Sequence, residues 1–349
     1  VPHSQLDPRA KENGPAAHAR ERSVSVIMAN YNGARFLSDA IDSVLAQTLG
    51  DLELIICDDC STDDSAGIIE RYQSADHRVR LLRNETNSGP AAARNRAIAA
   101  ATGTWLAIVD SDDVMHPSRL EFLIASARRD GADIVADDML VFYDGNERPS
   151  RGLLSGPYAK MPFSVDLADF IRSNAFYSNG AGLGYLKPVI RAKRLRQVSV
   201  RYDETLTIGE DYDLVCRLLA SGLAYRVYPR QLYYYRKHGG SISHRLSTKA
   251  ALAMLDADRR SREDIAGRGP EVRAAFEARH RSLERVLAFN ALIDALKNRC
   301  FARAAGLVLR RPRLLILLKE PALSWFERLL RRGRPKRPLA TASLEKAAS

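Results

Sequence analysis

The stretch Trp105-Leu106-Ala107-Ile108-Val109-Asp110-Ser111-Asp112-Asp113 decides how this chain is read: an apolar run of strand length ends in three carboxylates within four residues. Unpaired acids crowded at the end of a strand repel one another, and the arrangement costs stability unless a cation or a hydrogen-bonded ligand offsets it. The residues therefore point to a metal-assisted site. An acidic turn after a strand is a common feature, however, so the reading depends on what surrounds it.

Upstream, Val24 to Ala29 reads as a buried strand that runs into the turn Asn30-Tyr31-Asn32-Gly33. That turn opens an amphipathic helix with Phe36, Leu37, Ala40, Ile41, Val44 and Leu45 on one face. A second apolar strand, Leu52 to Cys57, ends in Asp58-Asp59-Cys60-Ser61-Thr62-Asp63, and a helical segment follows from about Ser65. The acids and Ser61 of that turn are candidate caps for the helix. A third strand, Val79 to Leu82, precedes Asn87-Ser88-Gly89-Pro90 and an Ala-rich helix carrying Arg94 and Asn95. The Trp105 strand is then the fourth in a β-α-β-α-β-α-β series, which predicts an α/β fold with a parallel sheet and crossover helices. In such sheets the ligand crevice lies outside the carboxyl ends of the strands, so Tyr31, Asp59 and the Asp110 to Asp113 cluster are expected to converge.

Several chemistries are disfavoured. The chain has no G-x-x-x-x-G-K-[ST] loop and no G-x-G-x-x-G after the first strand, so neither an NTPase nor a dinucleotide dehydrogenase is indicated. Cys57 and Cys60 form a C-x-x-C, but only Cys216 and Cys300 remain, with no second pair at zinc spacing. So few cysteines suit a reducing compartment.

Six segments, taken together, resemble a family 2 glycosyltransferase of the GT-A fold: SVIMANYN at 25–32, CDDCSTDDS at 57–65, NSGPAAARNRAI at 87–98, VDSDD at 109–113, GEDYDLVCRL at 209–218 and YRKHGGSIS at 235–243. GYLKP at 184–188 and GEDYDL give a narrower resemblance to bacterial exopolysaccharide (succinoglycan-type) glucosyltransferases. The resemblance implies a Rossmann-like nucleotide-binding sheet with an acceptor subdomain, an inverting transfer from a UDP-sugar donor, and Mn²⁺ or Mg²⁺ as cofactor. It also implies nucleotide-sugar contacts from Ala29, Tyr31, Asp59, Arg94, Asp110 and Ser111. Tyr31 would stack on the base, Asp59 would accept from the uracil N3–H, and Arg94 would face the phosphates or the base. Asp112 and His238 would hold the cation, because a hard divalent ion needs only one or two protein ligands when phosphate oxygens and water complete its shell. Asp113 is left over, with capping of a helix near Pro117 as its expected task.

An acceptor hydroxyl attacks poorly unless a base takes its proton. Glu210 and Asp211 stand at the beginning of a helix, where acids are also stabilised by the helix dipole, so the residues alone leave the catalytic role open; the resemblance aligns the base with Asp211 and sets Glu210 beside it. The Q-x-x-R-W motif of processive synthases is absent, since Gln231 is followed by Leu232, Tyr233, Tyr234, Tyr235 and Arg236, which favours one sugar added per encounter.

The expected organisation is a disordered tail at 1–22 with no apolar signal-peptide core, a GT-A domain at 23–245, a basic helical extension at 246–337 and a tail at 338–349. Within the GT-A domain, 23–138 would bind the nucleotide sugar and 139–245 would carry the acceptor side and the catalytic acids, with the 179–188 loop at the centre of the acceptor part. Residues 301–337 hold eleven Lys or Arg and two Glu, a net of +9 out of the chain's +11. Alternating with Leu307-Val308-Leu309, Leu314 to Leu318, Trp325-Phe326 and Leu329-Leu330, these charges suit an anionic membrane surface. A packed helix with a solvated face and a nucleic-acid contact give the same pattern. The membrane reading leads, and no nucleic-acid partner is expected, because the family's acceptors are often lipid-linked oligosaccharides. No segment is long and apolar enough for a membrane span, so the expected location is cytoplasmic and peripheral, at the inner face of the cell membrane. Two competing classes are a non-catalytic glycan- or nucleotide-sugar-binding relative, disfavoured by the intact Asp112 and Asp211, and a sugar nucleotidyltransferase. The latter calls for a Gly-rich basic loop where Asn30-Tyr31-Asn32-Gly33 stands.

Overall fold

The structure, a computed structural model, describes residues 23–145, 149–178, 182–239, 246–265 and 267–318. β1 (Val24–Asn30) is buried almost throughout, and a strand without a polar face must be covered on both sides. The crossover helices provide that cover. α1 (Ala34–Leu45) turns Phe36, Leu37, Ala40, Ile41 and Val44 inward, and it leads to β2 (Leu52–Asp58), which pairs in parallel with β1. α2 (Ser65–Ala75), β3 (Val79–Arg83), α3 (Pro90–Ala99) and β4 (Trp105–Asp110) complete the series. α3 begins at a proline, whose missing N–H costs nothing in a first turn. β4 lies parallel to β1 on the edge opposite β2, so the order β3-β2-β1-β4 gathers the carboxyl ends of β1, β2 and β4 at one rim.

Beyond β4 the sheet becomes mixed. After the short β5 (Val114–Met115), α4 (Arg119–Asp130) leads into β6 (Ile134–Tyr143). The expected division at 138/139 therefore falls inside a strand. Two further short strands, β7 (Arg151–Gly152) and β8 (Phe163–Val165), edge β6 and the later β10, respectively. α5 (Leu167–Ser173) and β9 (Val189–Arg191) follow, and β9 runs antiparallel between β4 and β6. α6 (Ala192–Val198), α7 (Glu210–Ala220) and the long β10 (Tyr225–Lys237) come next, with β10 parallel to β6 and antiparallel to β5. The second half of the sheet thus reads β9-β6-β10-β5.

The helical texture expected from Leu246 to Leu318 is present as α8 (Thr248–Ile265), α9 (Pro270–Lys297), α10 (Phe301–Arg310) and α11 (Leu314–Leu317). Val272, Ala275 and Phe276 of α9 enter the same apolar core as the sheet. α8 and α9 close a second cluster around Leu206, Met254 and Leu283, while α10 and α11 rest on α9 through Leu292, Ala295, Ala304 and Leu314. Among the described residues no helix is long and apolar enough to cross a membrane. The tails at 1–22 and 338–349, and the basic run from Lys319 to Arg337 with Trp325 and Phe326, lie outside the described residues.

Candidate active site

At the rim, Ala29 stands in register with Cys57 on one side and Asp110 on the other. Tyr31 follows with half of its surface exposed (51%), which leaves a ring face open. Asp58 is spent on the local turn, accepting from Asn30 Nδ2 at 2.8 Å and from Ser61 Oγ at 2.6 Å. Asp59 is buried and ties the end of β2 to the loop before α3, accepting from Asn84 Nδ2 at 2.6 Å and from the backbone N–H groups of Ser88 and Gly89. Of the candidate caps in this turn, Asp63 serves α2, its Oδ1 accepting from the Ser65 N–H at 3.0 Å, while Asp64 at the N-cap position makes no side-chain capping bond. Asp63 Oδ2 accepts from the Ala34 N–H at the start of α1, locking the two helices' beginnings together.

The acid cluster divides into three environments, although ligand oxygens of Asp110, Asp112 and Asp113 all lie within 4.8 Å of one another. Burial would raise the Asp110 carboxyl, but Lys187 and Arg94 pair with it at 2.7 Å each and hold it at about 2. Asp113 is fully buried and accepts from Tyr233 Oη at 2.7 Å and from the Arg236 N–H at 2.8 Å. Burial and the neighbouring Asp112 and Asp110 push it well above the carboxylate range. The expected capping role for Asp113 is not found: α4 starts at Arg119 behind Ser118, without a side-chain cap, and Asp113 faces β10 instead. Asp112 is the most accessible of the three. It pairs with His238 Nε2 at 2.9 Å, and burial together with Asp110 raises its carboxyl. An accessible carboxylate disfavoured by a like charge, beside an imidazole and with the other two acids already paired, fits a hard divalent cation that takes most of its shell from phosphate and water. Ser111, half-buried, sits between the two acids that frame this position.

The helix carrying the candidate catalytic acids is presented by Gly209. Its φ of +87° suits glycine, and a β-carbon there would come 2.2 Å from Cε of Met254. Glu210 and Asp211 follow in the first turn of α7. The Asp211 oxygens are paired with Lys187 Nζ at 2.8 Å and with Tyr202 Oη at 3.0 Å. Burial opposes ionisation of Asp211, yet Lys187 and Arg94 outweigh it and hold the carboxyl below its ordinary value. Glu210 is raised, by burial and then by Asp211, and accepts from Arg94 at 2.7 Å. Arg94 therefore differs from the expectation that it faces phosphate or base: it is 5% exposed and its charge is committed to Asp110 and Glu210. Lys187 and Tyr202 escaped the sequence reading. The available signal was a lysine set between apolar Leu186 and Pro188, a position where an exposed charge is unexpected.

A rim of strand ends with a paired acid cluster, facing a helix that presents two more acids, is the arrangement of a GT-A fold. The chain belongs to glycosyl transferase family 2, whose model matches residues 25–191. It is 35% identical over 319 residues to the succinoglycan biosynthesis protein ExoO of Rhizobium meliloti (strain 1021), covering 91% of this chain and 90% of that protein. Among solved structures, the fold is similar to that of S. aureus TarS 1-349 in complex with UDP-GlcNAc (TM-score 0.57, 18% identity, 83% of this chain and 92% of that one). It is also similar to the mannosyltransferase PcManGT from Pyrobaculum calidifontis in complex with GDP-Man and Mn²⁺ (TM-score 0.53, 15% identity, 90% and 88%). At these identities the likeness to the solved structures is one of fold.

Proposed function

We propose that this enzyme transfers a single glucose from UDP-glucose, with inversion, to a hydroxyl of a lipid-linked oligosaccharide during exopolysaccharide assembly. The observation that carries the reading is the Lys187 ammonium, bound at once to Asp110 at the donor rim and to Asp211 at the head of α7. It joins the donor half of the chain (23–138) to the half that carries the acceptor side and the base (139–245). In this reading Tyr31 stacks on the uracil, Asp59 orients it, and Ala29, Asp110 and Ser111 line the ribose and diphosphate. Arg94 acts through the acids it pairs with. Asp211 takes the acceptor hydroxyl proton as the oxygen attacks the anomeric carbon from the face opposite the diphosphate, and the bond to the diphosphate breaks in the same displacement. Glu210 borders the acceptor. Mn²⁺ or Mg²⁺ held by Asp112 and His238 would neutralise charge on the departing diphosphate. The role of ExoO in succinoglycan biosynthesis supports the polysaccharide assignment, and the UDP-GlcNAc complex of TarS supports a nucleotide-sugar donor.

A peripheral site at the cytoplasmic face of the membrane completes the proposal. Phe301, Leu309, Leu315 and Ile316 on α10 and α11 are between 53% and 82% exposed, and the neighbouring Arg303, Arg310, Arg311 and Arg313 are exposed as well. An apolar surface mixed with basic side chains is what an anionic bilayer binds.

The test is product identification after incubating the protein with Mn²⁺, a panel of UDP- and GDP-sugars and lipid-linked acceptors. Transfer from UDP-glucose with inverted configuration is expected, and a product of retained configuration would overturn the single displacement. Asp112→Asn should abolish transfer and the Mn²⁺-dependent part of UDP binding. Asp211→Asn should leave UDP binding intact while lowering turnover about 10²-fold or more, the usual scale for a lost base.

A further inference from the structure

One buried side chain in the carboxy-terminal helices reaches both arms that hold the base. Arg279 of α9 is 1% exposed. Its Nε donates to Asp258 of α8 at 2.9 Å and its Nη1 donates to the Asn174 carbonyl at 2.6 Å. Its guanidinium carbon lies 3.5 Å from the centre of the Tyr212 ring. Tyr212 is the residue after Asp211, so the stacked guanidinium grips α7 at the base itself. The other arm runs through Asn174, whose Oδ1 accepts from the Gly184 N–H at 2.9 Å. Gly184 has no room for a side chain, since a β-carbon there would come 2.6 Å from Asn174 Oδ1 and 3.1 Å from Tyr212 Cβ. Three residues further on stands Lys187, the partner of Asp211. One turn along α9, Ser282 Oγ accepts from the Phe176 N–H and donates to the Arg279 carbonyl, fastening the same segment.

A buried ion pair is weak evidence for stability, because apolar residues of similar volume often replace it without loss. What a planar guanidinium does that apolar residues cannot is combine a face-on ring contact with two directed hydrogen bonds. We propose that Arg279 is a positioning residue for transfer: by holding Tyr212 and Asn174 together it sets Asp211 against Lys187, and it makes α8 and α9 part of the catalytic apparatus. The inference rests on the reading of Asp211 as base.

The test compares Arg279→Lys with the double variant Arg279→Met, Asp258→Leu, which removes the pair without stranding a buried charge. Melting temperature, UDP binding in Mn²⁺, and kcat and KM with the donor and acceptor selected by the product panel are measured for each. Both variants should fold and bind UDP within about twofold of the parent, with kcat falling on the order of 10- to 100-fold in the double variant, the cost of a small misplacement. Arg279→Lys should recover part of the loss. A folded double variant with parental kcat, or one in which UDP binding falls as far as kcat/KM, overturns the proposal. If neither variant folds, Tyr212→Leu, which leaves the Arg279 and Asp258 pair intact, decides by the same criteria. Asp211→Asn measured alongside separates the two failures: retained turnover there removes the base reading, whereas an inactive Asp211→Asn beside a fully active double variant removes only the role of Arg279.

Discussion

As the proposed base, Asp211 must be ionised to accept a proton, so activity should fall as the pH drops through its folded-state pKa. Lys187 and Arg94 hold that value below the ordinary one against the effect of burial, which keeps the carboxylate ready throughout the neutral range. Lys187→Met removes the nearer cation, so the pKa rises and the acid limb of kcat/KM moves to higher pH. At the plateau the loss should be smaller than the roughly 10²-fold expected for Asp211→Asn. An acid limb that stays in place would show that Lys187 does not govern the titrating group. At this scale the sequence displayed the acids but not their partners. Asp110, Asp112 and Asp211 stand in short motifs at element ends, whereas Lys187 and Tyr202 reach Asp211 from 24 and 9 residues away. No local spacing brings them together; the pairing depends on where β9 and the segment before α7 pack.

Elements whose apolar runs are bounded by turns were legible, and β1 to β4 with their helices lie where periodicity placed them. β6 and β10 were not, for a definable reason. β6 carries two buried carboxylates inside a strand, Asp137 paired with Arg119 and Asp138 accepting from the N–H groups of Met139, Leu153 and Leu154. β10 loses its alternation at Pro229 and Arg230, where the register with β6 shifts between Tyr228 and Gln231. Arg119 is the joint of this half of the sheet. From the first position of α4 it binds both oxygens of Asp137 through Nε, and its Nη2 donates to the Lys187 carbonyl at 2.6 Å. Arg119→Met would leave Asp137 buried without its cation, at a cost of about 3–5 kcal/mol, read as a lower midpoint in urea. Adding Asp137→Leu should restore most of that stability but not turnover, because the carbonyl beside the Lys187 side chain still lacks its donor. Recovery of both together would mean that Arg119 serves the fold alone.

At the scale of the whole molecule, the carboxy-terminal helices face two ways. α9 enters the core shared with the sheet and, with α8, closes a second cluster, whereas α10 and α11 carry the exposed Phe301, Leu309, Leu315 and Ile316 and present an apolar outer surface. The charge run in the sequence, at 301–337, begins at α10 but left open whether the apolar side there is packed or exposed, because a basic face and an apolar face have the same periodicity in either case. The distinction permits a cleaner test than truncation, which would strip Ala304 and Leu314 from Leu292 and Ala295 of α9. Arg303, Arg310, Arg311 and Arg313 are exposed, with one long bond from Arg311 Nη1 to the Glu284 carbonyl at 3.3 Å, and changing all four to Gln should leave the apolar packing intact and the melting temperature little changed. With each engaged basic residue contributing on the order of 1 kcal/mol at an anionic surface, the quadruple variant should lose most of its partition onto vesicles of phosphatidylcholine and phosphatidylglycerol. Raised salt should release the parent protein in the same way, and pure phosphatidylcholine should bind neither well. Turnover on a short soluble acceptor should be unaffected, since neither the proposed catalytic groups nor Arg279 lies on α10 or α11. Equal binding of parent and variant to anionic vesicles would assign these arginines to solvation and remove the charge argument for membrane docking.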